Sequence, residues 1–316
     1  MSAAARATVA ITARFHRQRV AGNPTMPILD YVTHRTELAS ELARVYAITA
    51  LTEHVGRCYV HDHEDNAGTG DHDPEATSYA PWASSNRDRM LAKAIATETL
   101  ESVAAASRRL CGAHGVLHAN RISLYESMAR SFHSVAGDNR LLLLEAGKHL
   151  LAHGPIAPPV PSQPGIGLGD DGSALQLVCL REQVLTERLR RHRHLDTDWN
   201  PHLLQLEELA RVHATRRILE ELGNSANSTG PPHEALAAVH RLHGLDTLLD
   251  SVAWHLSHGS MRPGDLDVLQ RARAEAADEV HRHLDHLVDG LTVPPGRVGG
   301  FIGQDDYIHR VAAILP

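Results

Sequence analysis

Four stretches of this chain set reactive side chains at spacings that chemistry could use. In Cys111-Gly112-Ala113-His114-Gly115 the two glycines allow a tight turn and close approach of backbone to a ligand, with a thiol and an imidazole alongside. The same residues also read as an ordinary helix C-cap and turn, and Cys111 as a small buried hydrophobe. In Ala136-Gly137-Asp138-Asn139, Asp138 and Asn139 suit a helix start, where free backbone amides attract anions. Arg19, near the end of an N-terminal helix, offers a planar fork to phosphate oxygens, or faces solvent and the helix dipole. Finally, His61-Asp62-His63-Glu64-Asp65 with Asp71-His72-Asp73 supplies nitrogen and oxygen donors of the kind zinc or nickel takes. That stretch is a surface loop by composition, and a loop without fixed geometry selects no metal, so no metal site is expected. His192, His194, His281, His283 and His286 fall on helix surfaces and reflect a histidine-rich composition.

The elements that must position these residues are helices. Alanine and leucine abound, while aromatic and β-branched residues are sparse, a balance that favours helix over sheet. A first helix runs from about Ala3 to Val20. A second follows Pro27-Ile28-Leu29-Asp30, with Asp30 as its N-cap and Leu38, Leu42, Val45 and Thr49 on one buried face. A third runs from Ser84-Ser85 to Leu110, and after a short connection a fourth begins near Asp138. Residues 154 to 173 hold five prolines and five glycines and read as a linker. Beyond it, helical periodicity covers Ala174 to Leu222 and Glu234 to His258. A long helix from Asp265 puts Leu269, Ala276, Val280, Leu284 and Leu287 on one face and ends at Gly290. The expected fold is all-α: a helical bundle over residues 1–155, a linker over 156–173, and a second bundle over 174–316.

Composition narrows the partners. The chain has 316 residues and a formal charge of −7, without a basic stripe interleaved with aromatics, so nucleic acid is not expected. The three cysteines are scattered and form no C-x-x-C pair, which suggests a reducing compartment. The longest apolar run, Leu141 to Leu144, is far too short to span a bilayer. No secretory signal or peroxisomal terminus is recognisable, and a soluble cytoplasmic protein is the expectation.

Taken in order, several segments resemble acyl-CoA oxidases and the related dehydrogenases. Pro27-Ile28-Leu29-Asp30-Tyr31 with His34 is similar to their Pro-Leu-Leu-Asp-Tyr…His stretch. His16-Arg17-Gln18-Arg19-Val20-Ala21-Gly22 resembles their Arg-Arg-Gln-Phe-Gly segment, and Cys111 to Gly115 their Cys-Gly-Gly-His-Gly loop. Ala136-Gly137-Asp138-Asn139 resembles their Glu-Gly-(Asp/Glu/Thr)-Asn motif, and Gly303-Gln304-Asp305-Asp306-Tyr307 the end of these enzymes. The resemblance covers nearly the whole chain, but only as the C-terminal helical domains. The family's N-terminal helical domain and middle β domain have no counterpart.

The resemblance implies FAD. Arg19 stands where the family meets the flavin pyrophosphate of a neighbouring subunit, and Gly112, Ala113, His114 and Gly115 stand where its loop borders that flavin. Gly137, Asp138 and Asn139 follow the position of the catalytic base. The family's Glu there removes a proton next to the thioester carbonyl; Ala136 carries a methyl group, which accepts no proton. Asp138 does not replace it, because two residues along a helix turn the side chain about 200° away. The expected function is therefore a component of a flavoprotein desaturating an acyl-CoA or acyl-carrier thioester, with a partner chain supplying the missing domains, and inactive alone. The alternative is a non-catalytic structural or regulatory dimerisation module, pairing with a relative or with itself. A fragment of a longer gene is also open.

Overall fold

The computed structural model describes residues 1–66, 86–153, 172–193, 198–227, 233–294 and 306–307. The all-α expectation holds. Helix α1 (Ser2–Gln18) leads into a two-stranded antiparallel ribbon, β1 (Val20–Ala21) against β2 (Met26–Pro27), and these are the only strands among the described residues. A 3-10 turn over Ile28–Asp30 precedes α2 (Val32–Asn66), followed by α3 (Arg87–Leu110), the one-turn α4 (Ala113–Val116), α5 (Ile122–Phe132) and α6 (Asn139–His153). The second half holds α7 (Ser173–Arg193), α8 (Leu203–Ala226), α9 (His233–Asp250), α10 (Val252–Ser257), α11 (Asp265–Arg282) and α12 (Leu284–Gly290). No helix among the described residues is long and apolar enough to cross a membrane.

Local chemistry explains most boundaries. Asn86 caps α3, its side-chain oxygen accepting from the amides of Asp88 and Arg89 at 2.9 and 3.2 Å. Asp138 caps α6 in the same way, accepting from the amides of Arg140 and Leu141 at 2.9 and 3.3 Å. Three expectations change. Residues 61–66, read as part of a surface loop, continue α2 to Asn66. Asp30 does not cap α2; it closes the 3-10 turn, and α2 starts two residues later at Val32. The stretch between Gly115 and Asp138 is not a bare connection but contains α5. Its buried side, Ile122, Glu126 and Ala129, includes a carboxylate, which breaks the apolar stripe that would have marked it. Glu126 is held by Arg108 at 2.8 Å and Arg130 at 2.6 Å.

Helix α2 is the hub. Leu38, Ala39, Leu42, Ala43, Val45, Ala47 and Ile48 are all buried, more than one stripe of the helix, so it is covered from several sides. It packs on α1 and α3 from the first half and on α8, α9 and α11 from the second. A single apolar core consequently runs from Ala5 and Val9 of α1 to Val280 of α11 and Leu287 of α12. Leu269, Ala276, Val280, Leu284 and Leu287 are all buried as the periodicity predicts, although the helix breaks at His283 into α11 and α12.

Candidate functional site

The residues whose types and spacing point to chemistry gather at two places, at opposite ends of α1 and α3. The first is built where these helices end. Arg19 follows the last turn of α1, and Nη1 of its guanidinium donates to the carbonyl of Cys111 at 3.3 Å, tying the end of α1 to the loop after α3. The guanidinium carbon lies 5.5 Å from the centre of the Phe15 ring. Gly112 has φ 57°, and a Cβ there would stand 3.4 Å from Arg19 Nη1, so glycine both permits the turn and leaves the guanidinium uncovered. Gly115 serves packing instead. A Cβ there would fall 2.5 Å from the backbone oxygen of Arg108, and its absence lets α4 seat against α3.

The other loop residues are engaged within the fold. His114 Nδ1 is hydrogen-bonded to the Tyr307 hydroxyl, and its ring sits 5.3 Å from both Tyr307 and Phe15. Burial, reinforced by Arg19, lowers the His114 pKa. Ala113 is exposed at the start of α4. Cys111 is fully buried beside Ile11, Phe15, Ile122 and Tyr307, and burial pushes its thiol up to about 12, so it packs as a hydrophobe. Around this end Val20, Val116 and Leu117 are each more than half exposed, an apolar rim beside a cation.

The second place is the turn between α5 and α6. Ala136 has φ 56° and Gly137 φ 96°, which reverses the chain into the Asp138 cap. What holds this turn is Lys93, a residue that no motif marks in the sequence. Its ammonium donates to the carbonyls of Phe132 at 2.8 Å and Gly137 at 2.6 Å and to Asn139 Oδ1 at 2.6 Å. It thereby satisfies a carbonyl left open at the end of α5. Asn139 is buried, and its amide nitrogen donates to Ala94 O at 3.3 Å, locking α6 onto α3. Burial lowers the Lys93 pKa against the opposing pull of Asp138 and Glu98.

Ala136 lines a cleft of about 720 Å³ together with Val55, Ala92, Lys93, Ala96 and Phe132, and among the described residues no carboxylate lines it. Asp138 is occupied as the α6 cap. The left-handed conformation at Ala136 costs an L-residue about 1–2 kcal/mol over glycine, part of which glycine returns as chain entropy. Ala136→Gly is therefore expected to stabilise the chain by roughly 0.5–1 kcal/mol, read as a higher urea midpoint at unchanged m-value. Between the two places, Lys93 and Leu110 stand seventeen positions apart on α3, or about 25 Å of helix. Within one chain Arg19 and Ala136 do not share a site.

A third cluster, unforeseen in the sequence, lies between α7 and α8. Glu182 accepts from His213 Nδ1 at 2.8 Å and from Arg216 Nε at 2.6 Å, with all three side chains buried. The His/Asp stretch at 61–73 has its side chains outside the described residues. Among the described residues no group of three or more His, Cys, Asp or Glu could hold a metal.

Two family models match the chain: the acyl-CoA oxidase C-alpha1 domain over residues 1–151, and acyl-CoA oxidase over residues 173–306. No curated protein matches it. Among solved structures, acyl-CoA oxidase1 from Yarrowia lipolytica is 17% identical, with a TM-score of 0.82 over 99% of this chain and 52% of its own. An acyl-CoA oxidase from tomato, Lycopersicon esculentum, is 15% identical, with a TM-score of 0.83 over 100% of this chain and 53% of its own. Acyl-CoA oxidase-1 of Caenorhabditis elegans, solved with FAD and ATP, is 18% identical, with a TM-score of 0.81 over 100% of this chain and 52% of its own. At such identities the likeness shows the fold, and this chain spans about half the length of these oxidases. With both family models matching in chain order across nearly all of it, the chain belongs to the acyl-CoA oxidase family and corresponds to that family's C-terminal helical part.

Proposed function

We propose that this chain is a component of an acyl-CoA-oxidase-type flavoprotein. It contributes to FAD-dependent α,β-desaturation of an acyl thioester only together with a partner chain, and is inactive alone. The observation that carries the reading is the pairing of an intact Arg19–Cys111 corner with a base position that holds Ala136. A chain able to complete a neighbour's cofactor site, but unable to abstract the proton itself, has this combination.

The residues at the Arg19 corner fit an anionic cofactor edge. Gly112 keeps the guanidinium open, and the exposed Val20, Val116 and Leu117 surround it with a surface a partner could cover. Arg19 would meet the pyrophosphate, and the Gly112–Gly115 backbone would border it. When bound, the flavin supplies acceptance of a hydride from the β-carbon. The α-proton has no acceptor at Ala136, so the partner would carry the base. In that arrangement Lys93 shapes the turn and takes no proton, because its ammonium is committed to Phe132, Gly137 and Asn139.

Co-expression with a partner bearing the missing domains is expected to give a yellow complex with flavin absorbance and thioester-dependent turnover. The isolated chain should be colourless and inactive. Arg19→Gln should lower flavin retention of the complex by about tenfold or more, since a charge-assisted bond to phosphate is lost. A stable complex that stays colourless would instead support the second reading, a dimerisation module without catalysis. The exposed apolar rim at Val20, Val116 and Leu117 serves that reading equally well.

A further inference from the structure

Where α2 meets α8, a cysteine, a histidine and a glutamate form a relay that neither the Arg19 corner nor the Ala136 turn uses. His54 and Cys58 stand one turn apart on α2 and share a face. Cys58 Sγ lies 3.6 Å from His54 Nε2, and His54 Nδ1 lies 3.0 Å from Glu221 Oε1 on α8. Arg217, one turn before Glu221, donates from Nη2 to the same Nε2 at 2.9 Å. A guanidinium only donates, so this contact fixes the tautomer: Nε2 carries the lone pair, and Nδ1–H is given to Glu221. The ring thus turns an acceptor towards a thiol and is oriented from behind by a carboxylate, the arrangement of a nucleophile, its base and the group that orients the base. His54 and Glu221 are 20% and 12% exposed, while Cys58 is exposed, so the relay is sheltered and the sulfur is open. The charged groups around it, among the described residues, are Arg57 on α2, 3.2 Å from Glu221 Oε2, and Arg217 with Glu220 on α8, 2.6 Å apart; Asp88 on α3 feels the Arg217 charge. Cys111 and Cys179 differ on every count: both are buried, and burial pushes their thiols up to about 12 and about 11.

We propose that Cys58 is a nucleophilic thiol, with His54 as its base and Glu221 orienting that base, and that it forms mixed disulfides with small soluble disulfides. The Cys58 proton passes to His54 Nε2, and Arg217 gives up that one bond while its Nη1 keeps Glu220. Glu221 stabilises the imidazolium that forms. The thiolate attacks one sulfur of the disulfide, a new S–S bond forms at Cys58, and the disulfide's own S–S bond breaks. Its electron pair leaves on the second sulfur, which takes the proton from Nε2 and departs as a thiol. Cys58 is oxidised as the departing half is reduced, and no further oxidant is needed. Acyl transfer is disfavoured by the same geometry. Cys58 lies inside α2, where backbone amides are spent on the helix and none is free to hold an oxyanion. Exchange at sulfur needs no such donors. The site requires neither flavin nor partner chain and stands apart from the proposed function.

The test is the timed reaction of the intact, folded chain with dithiobis-nitrobenzoate, and with oxidised glutathione followed by peptide mass mapping. One fast thiol per chain is expected, mapping to Cys58 and lost in Cys58→Ser. His54→Asn should slow it about tenfold or more at pH 7, as loss of a general base implies. Glu221→Gln, which keeps an acceptor for Nδ1–H, should slow it as well and gives the same comparison should His54→Asn unfold. At about pH 10 a free thiol, with a pKa of about 8.5, ionises unaided, and the variants should then react like the parent chain. A merely structural role for His54 gives no such convergence, and unfolding would instead expose Cys111 and Cys179. Equal rates at pH 7 in the parent and both variants, a difference undiminished at about pH 10, or first labelling at Cys111 or Cys179 overturns the proposal.

Discussion

Glu182→Leu is expected to destabilise the chain by about 3–5 kcal/mol, because it leaves Arg216 and His213 buried without the carboxylate that both contact. For a chain of this length that is a fall in Tm on the order of 10 °C. The cost comes from breaking the cluster and is not the worth of the cluster. Taking charges out of water offsets most of the attraction between them. The combined change of Glu182→Leu, His213→Leu and Arg216→Met should thus lose far less, about 1 kcal/mol or less, when the three side chains are replaced together by apolar ones. Arg216 also meets Glu220 at 2.5 Å, but Glu220 keeps Arg217 at 2.6 Å, so the triple variant strands no carboxylate. Denaturant unfolding of the two variants checks this, and equal losses would contradict it. The cluster carries a pH signature too. Burial alone would raise the Glu182 pKa; the hydrogen bonds and charges of His213 and Arg216 outweigh it and hold it below the ordinary value. Its contribution is present above the unfolded carboxylate pKa and lost as pH falls below about 4.5 through the lower folded value.

Mild acid is the second large effect, and it acts through histidine. His16 and His255 are fully buried, and burial lowers each to about 4. At His16, Nδ1 donates to the Thr12 carbonyl at 2.8 Å, while Nε2 has no partner to receive a second proton's hydrogen bond. Nearby His34 and Arg19 also disfavour the charge. His255 is arranged alike, with Nδ1 3.0 Å from Ser260 Oγ, Nε2 unpartnered, and Arg181 and His258 disfavouring the charge. A histidine whose folded pKa lies below its unfolded value stabilises the fold above about pH 6.5 and loses that contribution as pH falls towards 4. Between pH 7 and pH 5 each should cost about 2 kcal/mol. His243 is also lowered by burial, to about 4, but its side chain reaches a surface cleft beside Asp250, where water relieves the charge and its share is small. One carboxyl runs the other way. Burial raises Glu41 to about 7 despite Arg44, so the folded state binds its proton more tightly, returning about 2 kcal/mol over the same interval. The net loss expected for the chain is about 2 kcal/mol. In Glu41→Gln it should deepen to about 4 kcal/mol, because the opposing group is gone. Urea unfolding at pH 7 and pH 5 measures both, and a stability that rises on acidification would refute the assignment of His16 and His255 as buried and neutral.

The helices were readable where a single segment carries its own pattern. Leu269 to Leu287 repeat along one face, Asp138 caps the helix that follows it, and Pro and Gly punctuate the ends. Helix α5 escaped because its buried side contains Glu126, whose partner Arg108 lies on α3 and cannot be inferred from α5 itself. Lys93 escaped for the same reason: nothing in its neighbours says that its ammonium holds a turn around residues 132–139. The histidines were legible as composition, yet which of them are buried depends on what packs over them. His16 and His255 sit in the same sort of helical text as the surface ones.

The order of family motifs, the helical class and the methyl side chain at position 136 belong to the amino-acid sequence itself, because each is a matter of residue type and local period. Which groups meet was decided by packing. Arg19 reaches Cys111 across 92 positions, His114 reaches Tyr307 across 193, and Glu182 reaches Arg216 across 34. The same packing sets Arg19 and Ala136 about 25 Å apart along α3 and brings Arg89 to the cleft wall. Side-chain periodicity reports only the face a residue takes on its own helix; the partner of that face exists only once the helices have docked.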